Sequence, residues 1–267
     1  MKQIPNLFTL LNLVFGCIAI VYILQPGLLL LPLDNEGNIL VPPVQLEYTT
    51  EKMMIAPLFI ALAGLVDFLD GFVARTFKAS SELGKQLDSL ADVVSFGVAP
   101  GMIVYQFLRM SFAQQEGALD TSIIWLLPAF IIPAASAYRL GKFNLDTEQS
   151  YGFKGVPTPA IGLLVASFPL IYWFTDSTAI VNLLLNKWFW YGFILLVSYL
   201  MVSSLPMLAL KFKNPGLKSF LPLIILVVIG LAAAITVKWL AVPVVFIAYV
   251  ILSLLFRSKT TVIKTQS

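Results

Sequence analysis

Eight stretches of mostly apolar residues, near 8–24, 53–75, 86–108, 122–140, 158–175, 188–210, 219–237 and 239–256, alternate with short polar segments along the 267-residue chain. Each is close to the roughly 20 residues that a helix needs to cross a hydrocarbon layer of about 30 Å. The pattern predicts an all-α fold, a polytopic membrane helical bundle of about eight transmembrane helices. Only Lys238 separates the last two runs. The first run begins at Leu7 and shows no small-residue cleavage pattern, so it reads as an anchored helix and not as a removed signal. With no internal repeat and no low-complexity tract, 1–267 reads as a single membrane domain.

Composition agrees with that pattern: 59% of residues are hydrophobic, 12% are charged, and the mean hydropathy is +0.90, which excludes a water-soluble fold. The net charge of +3 could suit nucleic acid, but the basic residues are scattered over short loops and form no basic domain. They report orientation instead. With the N-terminus inside, the inner segments hold all of the 17 basic residues except Lys52, Arg109, Lys187 and Lys238. That asymmetry predicts both termini in the cytoplasm and an external loop near 25–52. One cysteine, Cys17, and no histidine leave carboxylates, Lys, Arg and hydroxyls to carry any chemistry.

Four aspartates interrupt the second and third apolar runs, where ionisable groups are costly and usually functional. Asp67 and Asp70 share one helix face, and so do Asp88 and Asp92. A short loop makes the two helices antiparallel, and a rise of about 1.5 Å per residue puts Asp67 and Asp92 roughly 10–12 Å deep, with Asp70 and Asp88 at roughly 5–8 Å. Four carboxylates can therefore converge in one cytoplasm-facing cavity. They would repel one another without a cation, and a hard divalent ion with oxygen ligands would hold them ionised, which implies one or two Mg²⁺ or Mn²⁺ ions. Spacing alone leaves two other readings open: carboxylates paired with Arg75, Lys78 or Lys85 between closely packed helices, or an ion or proton relay in a transporter. A relay predicts polar residues continuing across the membrane, yet beyond Asp67 and Asp92 both runs are apolar apart from Ser95.

The string Asp67-x-x-Asp70-Gly71-x-x-Ala74-Arg75, followed after eight residues by Gly84, then Asp88 and Asp92, resembles the signature of the CDP-alcohol phosphatidyltransferases at every fixed position. The resemblance implies that Asp67, Asp70 and Asp88 bind metal, that Asp92 completes a second metal site and acts as general base, and that Gly71, Ala74, Arg75 and Gly84 contact the CDP portion of a CDP-diacylglycerol substrate. It also implies a homodimer and a core over 1–210, leaving 211–267 as two additional C-terminal helices and a short basic tail.

Three further places are similar to the serine-using, membrane-spanning branch of that family, which points to L-serine as acceptor and to the inner membrane of a prokaryotic cell. The first is Ile4 to Asn12, where Asn6 and Thr9 would lie near the nucleotide, although Asn6 could equally cap the first helix. The second is Leu87 to Pro100, with Val93 where glycerophosphate-using relatives carry lysine. The third runs from Arg139 to Pro159, where Arg139 and Lys154 would bind the serine carboxylate or a phosphate, or would serve only as topogenic charges. Lys142 replaces an arginine frequent in that branch and so loses a possible bidentate contact. Glycerol 3-phosphate, inositol and inositol phosphate remain alternative acceptors.

Overall fold

A computed structural model of the chain describes residues 4–25, 52–76, 81–114, 121–145, 153–208 and 217–256. The loop expected near 25–52 lies almost wholly outside these residues, as do Lys78 and the C-terminal tail. Helix α1 is Ile4–Leu24. A single 3-10 turn, Lys52–Ile55, leads into α2, Ala56–Thr76. Helix α3, Glu82–Val93, continues through a π turn at Val94–Val98 into α4, Ala99–Ala113. Then come α5, Ile131–Leu145; α6, Thr158–Phe174; α7, Thr178–Leu184; α8, Lys187–Val202; α9, Leu217–Val237; and α10, Ala241–Leu255.

Four of the described stretches are long and apolar enough to cross a membrane, and a fifth counts if α7 and α8, bent by 66°, form one span. The protein is a membrane helical bundle. The last stretch, Leu221–Leu255, is a hairpin and not one rod. A Cβ built on Gly230 would meet Val245 at 3.3 Å, whereas a straight helix would hold those positions about 22 Å apart. The reversal occurs at Lys238, whose φ of 52° breaks the right-handed path.

Two of the expected runs differ in detail. The one near 122–140 starts as 3-10 turns, Ile123–Trp125 and Leu127–Phe130, before α5 begins. Pro128 lies in that stretch and has no N–H to give to an α-helical ladder. The run near 188–210 stops at Val202. Beyond it Pro206–Met207 forms strand β2, paired antiparallel with β1, Phe153–Lys154, in the register Phe153–Met207 and Lys154–Pro206.

This strand pair caps α8, whose last carbonyls have no partner within the helix. Val156 N–H and the Ser203 hydroxyl both donate to Leu200 O, each at 3.0 Å, while Gly155 N–H donates to Leu205 O, past the helix end, at 2.8 Å. Gly155 has φ +75°, and a Cβ there would run into the carbonyl oxygens of Met201 and Ser203.

The core is aromatic around α8 and branched-aliphatic around α4. Trp190 is fully buried, stacks on Phe107 at 4.8 Å, meets Phe168 edge-on at 5.2 Å, and donates its indole N–H to Leu184 O at 2.6 Å. Near the aspartates the helices approach through small residues. A Cβ on Gly16 of α1 would collide with Ser95 in the π turn, and one on Gly97 would come within 2.9 Å of the Ser136 hydroxyl in α5. The wide turn is thereby wedged between α1 and α5.

Gly155→Ala is expected to destabilise the protein by about 1–3 kcal/mol, because the residue must hold a left-handed backbone with no room for a side chain. A thermal melt in detergent checks this, and an unchanged melting temperature would contradict the cap.

Candidate active site

Helices α2 and α3 bring three of the four expected carboxylates together. Asp67, Asp70 and Asp88 each place one carboxylate oxygen so that all three lie within 4.8 Å of one another. Asp70 is buried, the other two half-buried, and Asp88 Oδ1 is a buried acceptor without a hydrogen-bond partner. Three hard oxygens at this separation, beside a buried Asp88 oxygen without a partner, fit a divalent cation. Asp92 stands outside that trio. It is buried in the next turn of α3 and interacts electrostatically with Asp67 and Asp88.

Helix α1 supplies side-chain donors. Thr9 donates to Asp70 Oδ2 at 2.8 Å, and its hydroxyl also lies 3.2 Å from Pro5 O. Asn12 donates through Nδ2 to Asp92 Oδ1 at 3.2 Å, while its own Oδ1 is buried without a partner. Ser95, brought round by the π turn, donates to Asn12 O at 3.0 Å and fixes that part of α1. In this turn Ala99 N–H reaches back five residues to Val94 O. The extra residue shifts the helix phase, a distortion often found at functional sites.

Beside the acidic trio opens a cleft of about 490 Å³, lined by Pro5, Asn6, Thr9, Asp70, Gly71, Ser81, Glu82, Gly84, Lys85 and Asp88. Asn6 sits within the first turn of α1 and not before it, so it is no helix cap. It projects to the cleft, where it lies 3.0 Å from a Cβ built on Gly84. Ser81 caps α3 by accepting the Gly84 N–H at 3.0 Å. Space beside Gly71 is open, with no atom within 4 Å of an added Cβ. Lys85 lines the cleft, but its ammonium donates to Asn144 O at the end of α5, at 3.1 Å. It therefore serves at least partly to tie α3 to α5.

The side chains of Ala74, Arg75 and Lys154 lie outside the described residues. Arg139 is described: it is buried on α5, donates through Nη1 to Thr158 at 3.4 Å, and has its Nε without a partner. Asp92 and Tyr249 both lie within electrostatic reach of it. Tyr249 comes from α10, donates to Leu208 O at 3.4 Å, and is one turn from Ser253, which accepts from Leu208 N–H at 3.2 Å. The C-terminal hairpin thus reaches the same neighbourhood. Sequence reasoning gave no role to Asn12, Ser95, Thr158 or Tyr249. Asn12 carried a usable signal, an amide in the middle of an apolar helix.

A family model described as CDP-alcohol phosphatidyltransferase matches residues 2–202. The chain belongs to the CDP-alcohol phosphatidyltransferase family. The matched region ends with α8, so the α9–α10 hairpin falls outside it. Among the family's members, the CDP-diacylglycerol–serine O-phosphatidyltransferase of Helicobacter pylori strain J99 is 33% identical over 199 residues, 72% of this chain and 77% of that protein. The archaetidylserine synthase of Methanothermobacter thermautotrophicus is 30% identical over 205 residues, 76% and 68%. The CDP-diacylglycerol–serine O-phosphatidyltransferase of Bacillus subtilis is 34% identical over 117 residues, 44% and 61%.

Thr9→Val removes the hydroxyl that steadies Asp70 and is expected to weaken divalent-metal affinity about 10–100-fold. A Mn²⁺ titration of the purified protein measures this, and an unaltered affinity would show that Asp70 needs no such support.

Proposed function

We propose that this protein transfers the phosphatidyl group of CDP-diacylglycerol to L-serine, giving phosphatidylserine and CMP. The observation that carries the proposal is the convergence of Asp67, Asp70 and Asp88 at a cleft large enough for a nucleotide headgroup. The names of the similar proteins support serine as the acceptor.

In this reading Asp67, Asp70 and Asp88 hold divalent cations, Mg²⁺ or Mn²⁺, with Asp92 completing a second position. Such ions would neutralise the diphosphate and stabilise charge developing on the transferred phosphoryl group. The CDP portion lies along Asn6, Thr9, Gly71, Ala74, Arg75 and Gly84. Asp92 accepts the proton of the serine hydroxyl, whose oxygen attacks the phosphorus attached to diacylglycerol. As the new P–O bond forms, the bond to the CMP oxygen breaks and CMP leaves. Asn12 holds one oxygen of Asp92, which leaves the other for the proton. Arg139, with Lys154, takes the serine carboxylate.

The proposal extends to topology. The chain crosses the inner membrane of a prokaryotic cell eight times, with both termini and the cleft on the cytoplasmic side, as the distribution of basic residues favours. It works as a homodimer, with 1–210 as the catalytic core and 211–267 as an added hairpin and basic tail.

The test is CMP release by purified protein in detergent with CDP-diacylglycerol and Mn²⁺ or Mg²⁺, comparing serine with glycerol 3-phosphate, inositol and inositol phosphate. Serine alone should support release, and chelation should abolish it until metal is restored. Release with a different acceptor only would discard serine and keep the chemistry. Asp92→Asn should slow turnover by about 10²–10⁴-fold while nucleotide binding persists, and near-normal turnover would remove Asp92 as the base.

A further inference from the structure

Two buried polar atoms near Asp92 have no partner: Asn12 Oδ1, an acceptor, and Arg139 Nε, a donor. Buried groups of this kind are costly to leave unpaired. They belong to helices that both pack against α3 but scarcely touch each other, α1 on one side and α5 on another. Asp92 lies between them, bonded to Asn12 and within electrostatic reach of Arg139.

We infer that Asn12 and Arg139 form a two-pole acceptor subsite that reads an amino acid by both ends, with the Asn12 carbonyl oxygen accepting from the α-ammonium and Arg139 taking the α-carboxylate. The inference rests on the proposed acceptor chemistry and extends it to the residue that recognises the amino group. Its physical basis is covalent geometry. The reacting hydroxyl must come within about 2.6–3.2 Å of the Asp92 carboxylate. In serine the ammonium sits two carbons from that hydroxyl. Asn12 Oδ1 belongs to the same amide that donates to Asp92, so it too lies beside the reacting oxygen.

An amide oxygen suits this place better than a further carboxylate, because it accepts from a cation without adding charge to the acidic cluster. Asn12 is fully buried, with its backbone oxygen held by Ser95, so its amide is pre-placed and little ordering is left to do on binding.

Two fragments of serine separate the poles. Ethanolamine keeps the hydroxyl and ammonium, and 3-hydroxypropionate keeps the hydroxyl and carboxylate. Because each keeps the reacting hydroxyl and can itself release CMP, each is assayed as a competitor of serine by the phosphatidylserine formed, in full-length wild type, Asn12→Ala and Arg139→Ala. Asn12→Ala should weaken inhibition by ethanolamine about tenfold, the loss of roughly one charge-assisted hydrogen bond. Inhibition by 3-hydroxypropionate, which has no ammonium, should fall by a smaller factor, the part that Asn12 contributes by holding Asp92. Arg139→Ala should show the opposite selectivity. If Asn12→Ala does not fold, Asn12→Leu, which is close in shape and has no hydrogen-bonding side-chain atom, serves the same comparison. Equal losses for both fragments, or none for either, would overturn the inference and leave Asn12 as a positioning residue for Asp92 alone. Wild-type turnover with a non-amino acceptor only would instead remove the serine reading on which it rests.

Discussion

A carboxylate in an apolar helix survives only if something nearby compensates its charge, and the arrangement around α1 follows from that requirement. Four aspartates on two helices cannot neutralise one another. The side-chain donors to Asp70 and Asp92 are Thr9 and Asn12, both on α1, and the Gly71 backbone adds a bond to Asp70. They hold one buried member on each of α2 and α3, and leave the oxygens of Asp67 and Asp88 turned toward the trio. The first helix is therefore as much a part of the site as the two that carry the signature.

Bringing α1 that close demands small side chains and a local change of helix phase. Gly16 admits Ser95, and Gly84 admits Asn6. The π turn after Asp92 rotates Ser95 toward α1 and leaves Phe96 and Gly97 to pack on other helices. A regular helix through Val94–Val98 would present a different set of residues to α1, and the Ser95 contact with the Asn12 backbone would be lost.

The aspartate spacing was legible in the sequence because it depends only on helix periodicity along two adjacent segments. That Asp67, Asp70 and Asp88 converge follows from local rules. Other features depend on contacts between segments far apart in the chain, which periodicity does not encode. The bond from Asn12 to Asp92 spans 80 residues, and the strand pair joins 153–154 to 206–207. The stretch from Phe153 to Pro159 stood out as a string, but its work as a cap on α8 and a support for Arg139 through Thr158 shows only in three dimensions. The hairpin at Lys238 was half legible: two apolar runs were evident, and the left-handed residue that reverses them was not.

The flank of the cleft has a consequence for traffic. Leu83 and Leu90 on α3, and Phe68 and Phe72 on α2, leave large apolar surfaces uncovered close to the acidic trio. Fatty chains can rest against these residues while only the polar head turns inward. Lipid would then arrive and depart sideways within its own leaflet, and only small water-soluble molecules would need to come and go through the aqueous mouth. A gate for the greasy part of the substrate is unnecessary when the wall beside the reaction is open to the bilayer.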